Sequence, residues 1–208
     1  MISNPRQGQR VRVHYAKGYA AMMPAGILGK AGNEEEMKDL ILLFILEYMA
    51  ARGIPLTKIA VQKCVYYLKI NGAMNVFRFS MSTFGPYSID LNSALDDLIF
   101  WDKITLDGEK YALYKPDTVT MCVEVRDEVQ NHIDNFANLL ENVFSFSKLE
   151  LYSTLLYCIV ALRICDIRIT ESIVLSEFRE WKGNKFDKGD VVTALNRIVD
   201  YENQIKGK

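Results

Sequence analysis

A mainly α fold of α+β type is predicted for this 208-residue chain: a multi-helix domain with a small winged-helix-like β element and a β-like N-terminal arm. Three observations lead there. Beyond residue 33, most segments place apolar residues at a 3.6-residue rhythm, the mark of amphipathic or buried helices. In the middle, the alternating stretch Phe77–Met81 runs through Gly85-Pro86 into another helical pattern. After it, Asp107-Gly108 stands between two strand-like runs, a hairpin signal.

The elements follow in order. Residues 9–15, QRVRVHY, alternate in polarity and read as a lone strand or hairpin, broken by Gly18 and by the stretch Met22–Gly26. Arg6, Arg10, Arg12, Lys17 and Lys30 make residues 1–33 basic, with no acid, and leave 20 bases against 26 acids in the rest. The chain therefore divides into a basic arm, 1–32, and a single mostly helical domain, 33–208. Asn33 suits a helix cap, followed by a helix to about Ala51 that Gly53 stops. Thr57 caps the next, to about Ile70, with Lys58, Lys63 and Lys69 left for its outer side. A strand around Phe77–Ser82 comes next, then a tight turn at Gly85-Pro86 and a helix from Ser88 to about Trp101. Beyond the hairpin a long amphipathic helix is expected from Thr118 to Phe144. Ser147-Lys148-Leu149-Glu150 reads as a capping box opening a very apolar helix to about Arg163. Thr170 and Asp187 cap the last two.

Half the residues are apolar, enough for a real core, and the net charge of −1 gives no global attraction to nucleic acid or anionic membrane. The longest apolar run, Leu40–Leu46, is far short of the roughly 20 residues of a spanning helix, and residues 1–30 hold no continuous apolar signal segment. No membrane association is expected, and the location is expected to be cytoplasmic.

Catalytic and metal chemistry find little footing. The four cysteines, Cys64, Cys122, Cys158 and Cys165, and the two histidines, His14 and His132, form no CxxC or HxxH pair. Buried, reduced thiols and a core His132 are the expected roles. Neither GxxxxGK[ST] nor GxGxxG occurs, and the adjacent Asp96-Asp97 point about 100° apart on a helix, which does not make an acid–base pair. No catalytic residue, cofactor or metal is therefore assigned. A winged helix invites a DNA reading, yet residues 88–101 carry Asp90, Asp96 and Asp97 and no Lys or Arg. Two aromatic stretches remain, Phe84–Ser88 and Trp181–Phe186, each either a packed turn or a contact site.

The run Thr57–Tyr67 (TKIAVQKCVYY), Phe77-Arg78-Phe79, Phe84-Gly85-Pro86-Tyr87-Ser88, Leu91 and Leu95-Asp96-Asp97-Leu98, taken in this order, resembles the Panacea domain over about residues 37–114. That family includes SocA-like antitoxins and phage-associated proteins. The stretch Leu151–Ile198, with STLLY and FREWKGNKF, is similar to the helical tail of its members. The resemblance implies a non-enzymatic binder: an antitoxin that neutralises a partner toxin by direct contact, or an adaptor that delivers a toxin to a protease. It implies a protein partner, such as a toxin encoded nearby, and a contact region at Gln62, Lys63, Tyr66, Phe84, Gly85, Pro86 and Tyr87. The alternative is a winged-helix DNA-binding transcriptional regulator, with weak DNA contact through the basic arm.

Overall fold

The computed structural model describes residues 34–114 and 123–206, so the basic arm, the Asn33 cap and the first turn expected at Thr118 lie outside the described residues. The elements run α1 Glu34–Ala51, α2 Lys58–Ile70, β1 Ser80–Ser82, β2 Gly85–Tyr87, α3 Ile89–Phe100, β3 Ile104–Asp107 and β4 Lys110–Leu113. Then come α4 Val123–Leu139, α5 Phe146–Ile164, α6 Glu171–Lys182 and α7 Lys188–Lys206. The described part is mainly helical with a small β component, as the sequence predicts, but it holds two antiparallel β pairs where the sequence marks one hairpin.

Local chemistry sets most of the boundaries. Thr57, Ser88 and Thr170 each accept a hydrogen bond from the backbone N–H three residues on, satisfying one of the orphan donors of a helix start. Gly53 ends α1 in the left-handed region, where a residue without a side chain is favoured. Two ends differ from expectation. Helix α4 stops at Leu139 because Glu141 and Asn142 take positive φ, and Asn142 N–H closes onto the Ala137 carbonyl at 2.8 Å. Asn tolerates that conformation better than most residues, so the apolar rhythm through Val143 does not carry the helix on. Helix α5 is capped by Ser145 rather than Ser147, which leaves Glu150 free of any capping role.

The winged-helix-like part is built by three short lanes. Strands β3 and β4 pair from Ile104–Leu113 to Asp107–Lys110. Their turn centres on Gly108 and Glu109, with positive φ at Gly108 alone, one residue beyond the expected Asp107-Gly108 centre. The chain entering α2 adds the third lane: Lys58 N–H donates to the Glu109 carbonyl and Tyr111 N–H to the Leu56 carbonyl, at 3.0 and 2.8 Å. The order helix, lane, helix, β1–β2 hairpin, helix, hairpin is winged-helix-like, with an added hairpin ahead of α3. Strands β1 and β2 form a separate hairpin with Ser82 opposite Gly85, so the chain reverses at Thr83-Phe84 and Gly85-Pro86 lies in a strand, not at the turn itself. Pro86 is tolerated there because a two-stranded ribbon leaves an edge where its missing N–H is not needed.

Helices α2 and α5 form the centre. Every residue from Ala60 to Leu68 is buried, and most of Leu149–Leu162 on α5 is buried too. Apolar residues all around a helix require such enclosure. Around this pair lie α1 (Leu42, Ile45, Met49), α4 (Val129, Ile133, Phe136) and α7 (Val191, Leu195, Ile198). Among the described residues, no helix is long and apolar enough to cross a membrane.

Candidate functional site

The two polar residues in the middle of α2 decide where the β1–β2 hairpin sits. Gln62 and Lys63 are both buried, and their backbone groups are spent within the helix, so their side chains must find partners elsewhere. Gln62 Nε2 donates to the Ser88 carbonyl at 3.0 Å, and its Oε1 accepts from Ser88 N–H at 2.9 Å. The side-chain amide thus pairs with one residue as a neighbouring strand would. Lys63 Nζ donates to the Pro86 carbonyl at 2.7 Å. Consecutive helix residues therefore grip alternate residues of β2 and its continuation, and Ser88 Oγ in turn starts α3 through Leu91 N–H at 3.0 Å.

The other side of the hairpin is held from α5 and α6. Glu150 on α5 is fully buried and accepts from Lys182 Nζ and Lys185 Nζ, each at 2.8 Å. Lys182 Nζ also donates to the Thr83 carbonyl at 2.7 Å. One carbonyl in the hairpin turn, Thr83, and one in β2, Pro86, are thus each held by a buried lysine. Gly85 has φ +91, and a Cβ there would lie 3.0 Å from Ser153 Oγ and 3.1 Å from Thr154 Oγ1 on α5. The absence of a side chain is what lets β2 lie flat on that helix. Thr154 Oγ1 is buried without a hydrogen-bond partner in this crowded corner.

At the surface the hairpin ends in Phe84. Its ring packs edge-on against Phe146 at 5.1 Å, and Lys185 Nζ lies 5.3 Å from its centroid. Both phenylalanines remain half exposed. Of the residues expected to form a contact region, Phe84 is at the surface and Tyr87 is half buried, while Gln62, Lys63, Tyr66, Gly85 and Pro86 are interior. Tyr66 packs against Phe79 and Tyr157 at 5.2 and 6.2 Å. Five of the seven therefore set the position of the tip without themselves facing solvent. Lys63 is also the member of the α2 lysines that turns inward instead of outward. Glu150, Ser153, Thr154, Lys182 and Lys185 complete the arrangement and escaped sequence reasoning. The one signal for them was the lysine–aromatic stretch Trp181–Phe186.

Two buried lysines, Lys63 and Lys182, and the half-exposed Lys185 face one buried carboxylate. The Lys63 amine is pulled down to about 7, first by loss of solvation, then by the like charge of Lys182, against the opposing pull of Glu150. Unfolded, the same amine titrates near 10.5. Between those values the unfolded chain binds more protons than the native one, so this group makes stability rise with pH across that window. Urea midpoints measured at about pH 6 and about pH 9 should rise more in wild type than in Lys63→Met, which lacks the titrating group.

Of the three cysteines among the described residues, Cys64 and Cys158 are buried. Burial pushes the Cys64 thiol up and the Cys158 thiol up to about 12. Cys165, expected inside, is exposed at the α5 C-cap, and Cys122 and His14 lie outside the described residues. His132 on α4 is half buried with its Nδ1 sealed and unpartnered, and burial lowers its pKa. Among the described residues no group of His, Cys, Asp and Glu could hold a metal ion. A cleft of about 560 Å³ between the end of α4, α5 and α7 holds Glu141, Tyr152, Arg197 and Tyr201. Arg197 is engaged there by Glu141 at 3.0 Å and by the carbonyls of Asn138 and Leu139. No family model matches the chain, and no curated protein matches it either.

Proposed function

We propose that this chain is a non-enzymatic, cytoplasmic protein-binding module, of the antitoxin-like or adaptor kind implied by its resemblance to the Panacea domain. Its contact point is the β1–β2 hairpin tip. The supporting observation is a half-exposed aromatic pair, Phe84 and Phe146, fixed by a buried polar network instead of by a mobile loop. A preorganised aromatic anchor is the usual centre of a protein interface, because ordering entropy is already spent before binding. The winged-helix topology favours a second reading, DNA binding, but the outward side of α3 carries Asp96 and Asp97 and no cation to neutralise phosphate.

Co-expression with the product of the neighbouring gene, followed by titration of the purified pair, tests the reading. Phe84→Ala should weaken the complex by at least about tenfold, the scale of an interface anchor, with the helical circular dichroism unchanged. An unaltered affinity would remove the tip as the contact. Retention of the chain on duplex DNA, lost steeply with added salt, would move the function to the regulator reading.

A further inference from the structure

A second surface, built from other residues, faces outward on α3. Ile89, Ser93, Asp96, Asp97 and Phe100 fall four, three, one and three residues apart, which puts them on one stripe of the helix. The opposite stripe, Leu91, Ala94, Leu95 and Leu98, is buried in the core. Large apolar side chains on the outer stripe are left in water: Ile89 is 73% and Phe100 75% exposed. Trp101 packs edge-on against Phe100 at 5.1 Å and is 66% exposed. Tyr114, 64% exposed, is tied to the same end, since its N–H donates to the Lys103 carbonyl.

Scattered apolar residues on a surface need no explanation, but a helix face ending in an exposed, edge-on Phe100–Trp101 pair does. The charges around it have one dominant sign. Asp96, Asp97, Asp102, Asp107 and Glu109 are exposed on α3 and the adjoining hairpin, against Lys103 and Lys110. Among the described residues, Asp96, Asp97 and Asp102 carry no ion pair. We infer that the outer face of α3 docks a basic amphipathic segment of a partner protein, whose apolar side covers Ile89, Phe100 and Trp101 and whose cations meet Asp96 and Asp97. Helix-on-helix burial of that kind supplies affinity, and the carboxylates select the sign and orientation of the occupant. This face shares no residue with the Phe84 tip, so either reading stands if the other fails.

The test uses the full chain and a fluorescein-labelled helical peptide with a leucine stripe and a lysine face, followed by anisotropy. A peptide with the same stripe and glutamates in place of lysines is the counterpart. The lysine peptide should bind. Phe100→Ala/Trp101→Ala and Asp96→Asn/Asp97→Asn should each weaken it by roughly tenfold. Glu171→Gln/Glu180→Gln, which removes the same charge from exposed positions on α6, should not. Equal weakening by the α6 pair means diffuse attraction to an acidic protein and overturns the proposal, as does equal binding of the glutamate peptide. A concentration-dependent dimer that Phe100→Ala abolishes overturns it too, because the occupant is then a second copy of this chain.

Discussion

Glu150→Ala is expected to lower the free energy of unfolding by about 3–5 kcal/mol, the cost of leaving a buried charge without its counter-ion. The Lys182 ammonium, whose side chain is 2% exposed, would keep only the Thr83 carbonyl as a partner. Lys185 is half exposed and can turn to water, so the penalty falls on Lys182 and on Lys63, whose amine Glu150 helps keep charged. Urea denaturation at neutral pH measures the loss. The double replacement Glu150→Leu/Lys182→Met separates charge from packing. An apolar pair of similar volume should recover most of the stability, since a buried ion pair is often matched by well-packed apolar residues. A double variant as unstable as Glu150→Ala would mean that the network contributes through the position of the Thr83 turn and not through its charge balance.

Gly85→Ala should be nearly as costly, for a different reason. Two penalties add there: a side chain at φ +91, of order 1–3 kcal/mol, and forced crowding of about the same size against Ser153 and Thr154. A total of roughly 2–6 kcal/mol is expected. Gly53→Ala is the matched control, because φ there is +76 with nothing within 4 Å of the added carbon. The difference between the two unfolding free energies isolates the packing penalty at the hairpin. If the two substitutions cost the same, β2 does not lie as tightly on α5 as the distances require.

The parts of this architecture that depend on neighbours in the chain were legible in the sequence. Thr57, Ser88 and Thr170 announce their helices because a cap needs only a side-chain oxygen and an N–H three residues on. The hairpin after α3 shows itself through Gly108. What was hidden depends on distant partners. Glu150 stands three residues after Ser147 and reads as half of a capping box, whereas its actual partners lie 32 and 35 residues further on. Lys63 looks like one of three solvent lysines on α2, and only the carbonyl of Pro86 draws it inward. The Phe84–Tyr87 run reads as one patch, yet the hairpin divides it: the turn lifts Phe84 out while the strand buries Gly85 and Pro86. The outer face of α3 went unread because periodicity identifies the buried stripe and says little about what the other side is for.

The separation between Thr83 and Lys182 bears on how the molecule is made. The bonds from α2 to Ser88 and Pro86 span 26 and 23 residues, while the bond from Lys182 to Thr83 spans 99. At a synthesis rate of about 5–20 residues per second, the hairpin leaves the ribosome roughly 5–20 s before the helix that supplies its second clasp. Until then the Thr83 carbonyl lacks its Lys182 partner, and the Glu150 carboxylate is made before either lysine that neutralises it. Closure of the α5 side of the hairpin therefore waits on the end of α6, the last of its bonding partners but one to be made.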